Sequence, residues 1–158
     1  LKKENIGLVL FSGGNDLSKF EKEFGTNTYK KRDELEFNII EYCIKNTIPI
    51  LSICRGSQFI ANYLGVHIEK IEGHINSEHE IHIENSNDNF FVNSFHSYGI
   101  KYNNLPVQIN PLAIQKLDNT LEAFTTTKPF KSINLMWHPE RKNGAKIKSL
   151  DLIKNFLF

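Results

Sequence analysis

A cysteine stands where an apolar run gives way to a helical pattern. Residues 48–53 (Ile48-Pro49-Ile50-Leu51-Ser52-Ile53) read as a buried strand, with proline at its start, where a missing N–H is tolerated. Cys54-Arg55-Gly56 then turns directly into helical spacing through Phe59, Ile60 and Leu64, ended by Gly65. Such a junction projects a nucleophile from the carboxyl edge of a sheet, where open α/β sheets place their ligands. The dipole and free N–H groups of the helix N-terminus favour a thiolate. The amide of Arg55 can donate to an oxyanion, and a second donor can come from Gly13 or Gly14 at the end of another strand. Each such donor is worth roughly 3–4 kcal/mol. Gly56 lets the turn and a substrate approach backbone closely. Taken alone, Cys54 reads equally well as a small buried hydrophobe.

The second reactive group is in Met136-Trp137-His138-Pro139-Glu140. A histidine after a buried strand, with a carboxylate two positions later, can be a base with its orienting partner. His138 would take the thiol proton and return it to a leaving group. Glu140 would hold the imidazole tautomer. Alone, this triplet reads as a surface histidine beside a solvated glutamate; together with Cys54 on its turn it is far more specific.

The elements around these groups predict an α/β fold with a mostly parallel, doubly wound sheet. Residues 6–11 form an apolar run that reads as a buried strand, ending at Ser12-Gly13-Gly14-Asn15-Asp16, a strong turn signal. Residues 17–31 read as a loop with a helical turn. Leu35, Ile39, Ile40, Cys43 and Ile44 fall at helical spacing, with Asp33, Glu34 and Glu36 suited to the dipole of the first turn. Residues 66–110 alternate in short segments (66–68, 80–83, 90–92) and predict a small antiparallel excursion. Residues 112–117 and 121–124 read as strands joined at Asp118-Asn119, residues 132–137 as another strand, and residues 145–157 as a closing helix.

Composition narrows the class. The chain has 158 residues, enough for one domain with a real core, and a net charge of +1 that argues against a basic nucleic-acid surface. A 40% hydrophobic content with twelve Phe excludes a disordered chain, and no apolar run approaches the ~20 residues of a membrane span. Two cysteines outside any CxxC pair exclude a disulfide framework and a zinc ribbon. No signal peptide is visible, so a cytoplasmic protein is expected. The chain starts at Leu1 rather than Met, so a natural N-terminus upstream is expected.

Four stretches, in order, resemble the class I glutamine amidotransferase-like superfamily, and within it the γ-glutamyl hydrolase branch: Ser12 to Asp16, Arg32-Asp33-Glu34-Leu35-Glu36, Pro49 to Gln58, and Met136 to Glu140. Val92-Asn93-Ser94-Phe95-His96 resembles a fifth segment. The resemblance implies a flavodoxin-like core and a single domain over 1–158, lacking an N-terminal strand–helix–strand portion. It implies Cys54 as nucleophile, His138 as base, Glu140 as orienter, and Gly14 and Arg55 as oxyanion donors. It also implies Gly13, Gln58, Ser94, Phe95 and His96 as substrate-binding residues. Ser52 departs from the glycine usual before Ile-Cys. The reaction implied is hydrolysis of a γ-glutamyl amide through a thioester, releasing glutamate, with no metal and no organic cofactor. The substrates implied are γ-glutamyl-γ-aminobutyrate-like compounds or a γ-glutamyl phosphoramidate of a cytidine nucleotide. The alternatives are a glutaminase subunit serving a partner synthetase and a non-catalytic binding protein on this fold. The expected partners are the small-molecule substrate and, at most, a second copy as a homodimer; nucleic acid and membrane are not among them.

Other residues draw blander readings. His74, His79 and His82, with Glu78 and Glu80, are chemically suited to zinc, but their spacing fits no helical HExxH; the resemblance puts them near the pocket mouth. Lys30-Lys31-Arg32 reads as a solvated cluster, with Arg32 able to reach an acidic substrate. Cys43 reads as inert core, and Phe156 and Phe158 as packing.

Overall fold

The computed structural model describes residues 5–21 and 29–157. In chain order the elements are β1 (Val9–Phe11), a 3-10 turn (Ser18–Phe20), α1 (Lys30–Asn46), β2 (Ile50–Ile53), α2 (Arg55–Tyr63), β3 (Glu69–Lys70), β4 (Ile75–Ile83), β5 (Asn89–Phe95), β6 (Tyr98–Gly99), β7 (Asn110–Gln115), β8 (Thr120–Thr126), β9 (Ser132–Leu135) and α3 (Lys146–Leu157). Seven strands form one sheet in the order β1-β2-β9-β8-β7-β4-β5, and β3 pairs with β6 apart from it.

β1, β2 and β9 run parallel, with Phe11 opposite Ser52 and Ile53 opposite Leu135. From β9 outward every neighbour is antiparallel. The antiparallel part therefore continues the same sheet by four strands, β4 and β5 from the expected excursion and β7 and β8 from the strand pair after it. The fold is α/β, with apolar cores on both faces. One gathers Phe11, Ile40, Cys43, Ile50, Phe59 and Ile60 beneath α1 and α2. The other packs Ile81, Val92, Ile133, Leu135 and Trp137 against α3, including Phe156. Cys43 is core as expected, whereas Phe158 lies outside the described residues.

Two local expectations are corrected. No strand forms at residues 66–68; Val66 and Ile68 are buried from a loop, and pairing begins at Glu69. The first strand is shorter and more exposed than a buried run, with Ile6, Leu8 and Leu10 all exposed. Among the described residues β1 pairs only with β2, so one of its edges has no strand neighbour.

Between β2 and β9 lies a buried polar ladder. Ser52 donates to Asn134 Oδ1 at 2.6 Å and lies 3.0 Å from the Ser57 hydroxyl, which donates to Leu135 O at 2.7 Å. Asn134 Nδ2 donates to Phe124 O and to Ser132 Oγ. Buried hydroxyls and amides must find partners, and each serves another here. Ser52, the residue that departs from the family pattern, is thus fully accommodated.

Candidate active site

The ends of three neighbouring parallel strands build the site. Cys54 follows β2 and caps α2 with φ 50° and ψ −108°, a backbone region that costs a side-chain-bearing residue energy. Its N–H donates to Leu135 O at 2.7 Å, tying the turn to the end of β9. Gln58 N donates back to Cys54 O at 3.0 Å, closing the first turn of α2. Gly56 is required here: a Cβ would lie 2.8 Å from Phe11 Cβ and closer still to its carbonyl. The close approach that Gly56 permits is therefore to β1.

His138 leaves β9 three residues after Leu135, at the same sheet edge. Its Nδ1 is 2.6 Å from Glu140 Oε1. An ionised carboxylate only accepts, so Nδ1 carries the hydrogen and Nε2 is left to exchange a proton. Asn93 of β5 clamps the backbone: His138 N donates to Asn93 Oδ1 at 2.9 Å, and Asn93 Nδ2 donates to His138 O at 3.0 Å and Lys142 O at 2.9 Å. Gly13, two residues past β1, lies against the imidazole; a Cβ there would sit 2.7 Å from His138 Cε1. Phe95 meets the ring edge-on at 5.7 Å between centroids, and the Arg141 guanidinium lies over Phe95 at 4.8 Å.

Beneath the Ser12–Gly14 turn runs an ion network. Arg55, 1% exposed, pairs with Glu36 and Asp33. Arg32 Nε binds Glu36 Oε1 at 2.8 Å, and its other nitrogens donate to Gly13 O at 3.1 Å and Ser12 O at 2.8 Å. Arg32 is thus committed to this turn instead of reaching for a substrate. Asp33 and Glu36, read as dipole charges, are ion-pair partners. Gly14 has φ 148°, and the Arg32 guanidinium occupies the space a side chain would need.

Burial pushes the Cys54 thiol up to about 12; the Arg55 amide and Arg141 pull it down, while Glu122 and Glu140 push it further up. Desolvation outweighs the helix N-terminus, contrary to the thiolate expected from sequence. In the resting protein the proton sits on sulfur, so a base must take it. Alkylation by iodoacetamide is expected to quicken about tenfold per pH unit from pH 7 to 10, since each unit multiplies the scarce thiolate tenfold. A rate that levels off near neutrality would show a preformed thiolate.

The remaining candidates sit deeper. Gln58 is buried and donates from Nε2 to Tyr98 O at 2.9 Å. Ser94 donates to His74 O at 2.8 Å, and His96 Nδ1 lies 3.0 Å from Tyr98 O. His82 is set apart, bonded to Asn89 at 2.8 Å. Surface clefts along β4 and between α1 and α2 include neither Cys54 nor His138. Asn93, Arg141 and Glu122 were not legible as site residues. Asn93 lay inside a segment already noted, but nothing in its type marks a backbone clamp.

The profile of the Peptidase C26 family matches residues 3–140. The chain belongs to the Peptidase C26 family. It is 40% identical over 154 residues to the γ-glutamyl-CDP-amidate hydrolase of Campylobacter jejuni, covering 98% of this chain and 71% of that protein. It is 32% identical over 108 residues to a carbamoyl phosphate synthase small chain of Buchnera aphidicola, covering 68% of this chain but 27% of that one. Among solved structures, a glutamine amidotransferase of Thermotoga maritima superposes with a TM-score of 0.68 at 22% identity, covering 98% of this chain and 68% of that one. A glutamine amidotransferase of Methylobacillus flagellatus gives 0.59 at 10% identity, covering 94% and 74%. This C26 chain therefore has the glutamine amidotransferase fold.

Proposed function

We propose that the chain hydrolyses a γ-glutamyl amide through Cys54, His138 and Glu140. The observation that carries this reading is the placement of the Cys54 turn and the His138–Glu140 pair at the same end of adjacent parallel strands, joined by the Cys54 N–H to Leu135 O hydrogen bond. His138 Nε2 takes the thiol proton as sulfur bonds to the γ-glutamyl carbonyl carbon. The oxyanion that forms is held by the backbone amides of Gly14 and Arg55. As the tetrahedral species collapses, the C–N bond breaks and His138 returns its proton to the leaving nitrogen. Water then gives a proton to His138 and its oxygen to the thioester carbonyl; sulfur leaves, recovers the proton, and glutamate is released. No step draws on a metal or an organic cofactor.

The Campylobacter relative points to an amidate of a nucleoside diphosphate as the leaving group. Arg141, half exposed beside Glu140 and stacked on Phe95, offers a cation for such an anionic group. The test is glutamate release from a panel of γ-glutamyl amides. We expect the γ-glutamyl phosphoramidate of a cytidine nucleotide to exceed γ-glutamyl-γ-aminobutyrate in kcat/KM by about tenfold or more, the scale of one charge-assisted contact. Equal rates would remove the nucleotide preference, and no release from any member would remove the hydrolase. The similarity to a synthase small chain supports a second reading, a glutaminase subunit. That reading requires free glutamine to be hydrolysed only when a partner synthetase is added.

The described helices include none long and apolar enough to cross a membrane.

A further inference from the structure

Four buried ionisable side chains converge between β4, β5 and β8. His74 precedes β4, His79 lies within it, His96 follows β5, and Glu122 belongs to β8. All four are at most 9% exposed. His74 Nδ1 is 3.4 Å from Glu122 Oε1, His79 Nε2 is 3.4 Å from Glu122 Oε2, and His96 Nε2 is 3.8 Å from the same oxygen. None of these contacts closes as a hydrogen bond: both carboxylate oxygens and all three facing nitrogens are buried without a partner.

The outer hydrogen bonds of two rings decide which nitrogen faces inward. His74 Nε2 is 2.9 Å from Asp118 Oδ2, and His96 Nδ1 is 3.0 Å from Tyr98 O. Both oxygens are acceptors, so those nitrogens carry hydrogen. In the neutral rings, His74 Nδ1 and His96 Nε2 then aim lone pairs at a carboxylate. Charging the rings would supply hydrogens but would bring imidazolium groups together, with ring centroids 4.6 and 4.9 Å apart. One divalent cation can be held by His74, His79 and Glu122, each of which offers a ligand atom within 4.8 Å of the other two.

The spacing fits such an ion. Tetrahedral zinc with bonds of about 2.0–2.1 Å holds neighbouring ligand atoms about 3.3–3.4 Å apart, which is longer than a hydrogen bond. The separations of Glu122 from His74 and His79 match, whereas His96, at 3.8 Å, stands outside this ligand group. Asp118 accepts from His74 Nε2 and holds that ring in place, itself fixed by Thr120 N at 3.1 Å and Thr120 Oγ1 at 2.6 Å.

We propose that His74, His79 and Glu122 bind one Zn2+ ion, with His96 standing beside the carboxylate. The ion fastens β4 and the residue before it to β8. Glu122 O also accepts from Met136 N at 2.8 Å, two residues before His138, so the same site braces the strand end that presents the imidazole. Sequence spacing missed it because Glu122 lies far along the chain from His74 and His79, and His82 of the expected stretch is not part of the group.

The test is metal binding by the purified full chain, read independently of glutamate release. After chelator treatment and dialysis against Zn2+, elemental analysis is expected to give about one equivalent per chain, with Tm rising as Zn2+ is added. Co2+ in its place is expected to give the visible absorption of a tetrahedral ion. Glu122→Gln is expected to weaken Zn2+ binding by about 100-fold or more, and His82→Ala to leave it unchanged. The affinity of the unmutated chain, measured by chelator competition, stands even where Glu122→Gln folds poorly. A wild-type chain with no bound zinc and a Tm indifferent to Zn2+ would overturn the site, as would equal losses in the two variants.

Discussion

Cys54→Ser is expected to lose at least about 1,000-fold in kcat for γ-glutamyl amide hydrolysis while unfolding within about 2 °C of the parent. The substitution exchanges one atom and leaves the φ of 50° in place, so packing around the turn is nearly conserved. What changes is the nucleophile. Burial already holds the thiol at about 12, and an alcohol in the same enclosed position is harder still to ionise. His138 and Glu140 keep their 2.6 Å hydrogen bond but have a far weaker partner to activate. The measurement pairs a steady-state glutamate assay with a thermal melt. Residual activity within tenfold of wild type would remove Cys54 from the chemistry.

The second large effect is on stability. Glu36 bridges Arg32 and Arg55, and both arginines lie under the turn that carries the Gly14 amide. Among the described residues, Glu36→Leu leaves the buried Arg55 guanidinium with Asp33 as its one remaining ion-paired carboxylate. Removing one member of a buried ion pair costs about 3–5 kcal/mol. At about 2–4 °C per kcal/mol for a chain of this size, Tm should fall by roughly 6–20 °C. A double variant, Glu36→Leu with Arg55→Leu, discards the stranded charge with its partner and should recover part of the loss. If the double variant is no more stable than the single one, the cost lies in packing rather than in an unpaired cation.

The site was legible to the extent that its chemistry is local. A strand, a cysteine and a helix follow one another within a few residues, and His138 and Glu140 are two apart. The α/β class was legible for the same reason, because each parallel strand pairs a short apolar run with an adjacent helix. What escaped were relations between residues far apart in the chain. Asp33 and Glu36 suit a helix N-terminus whether or not Arg55 arrives beneath them. Glu122 sits in an apolar strand where nothing nearby predicts three imidazoles. β4 could not be delimited because its burial alternates only in its second half, so its polar first half reads as loop. Arg32 was read as solvated although Glu36 stands four residues on along the same helix; only its two backbone carbonyl partners leave no trace in residue type.

The Ser52–Asn134 ladder bears on how such a molecule can change. Sliding β9 by one position against β2 would turn its side chains over and orphan several sealed hydroxyl and amide groups together. The offset between sulfur and imidazole is therefore stepwise: it can be kept or lost, but not adjusted by degrees. Insertions in the outer hairpins leave that offset alone, whereas adding or deleting a single residue inside either inner strand would abolish it.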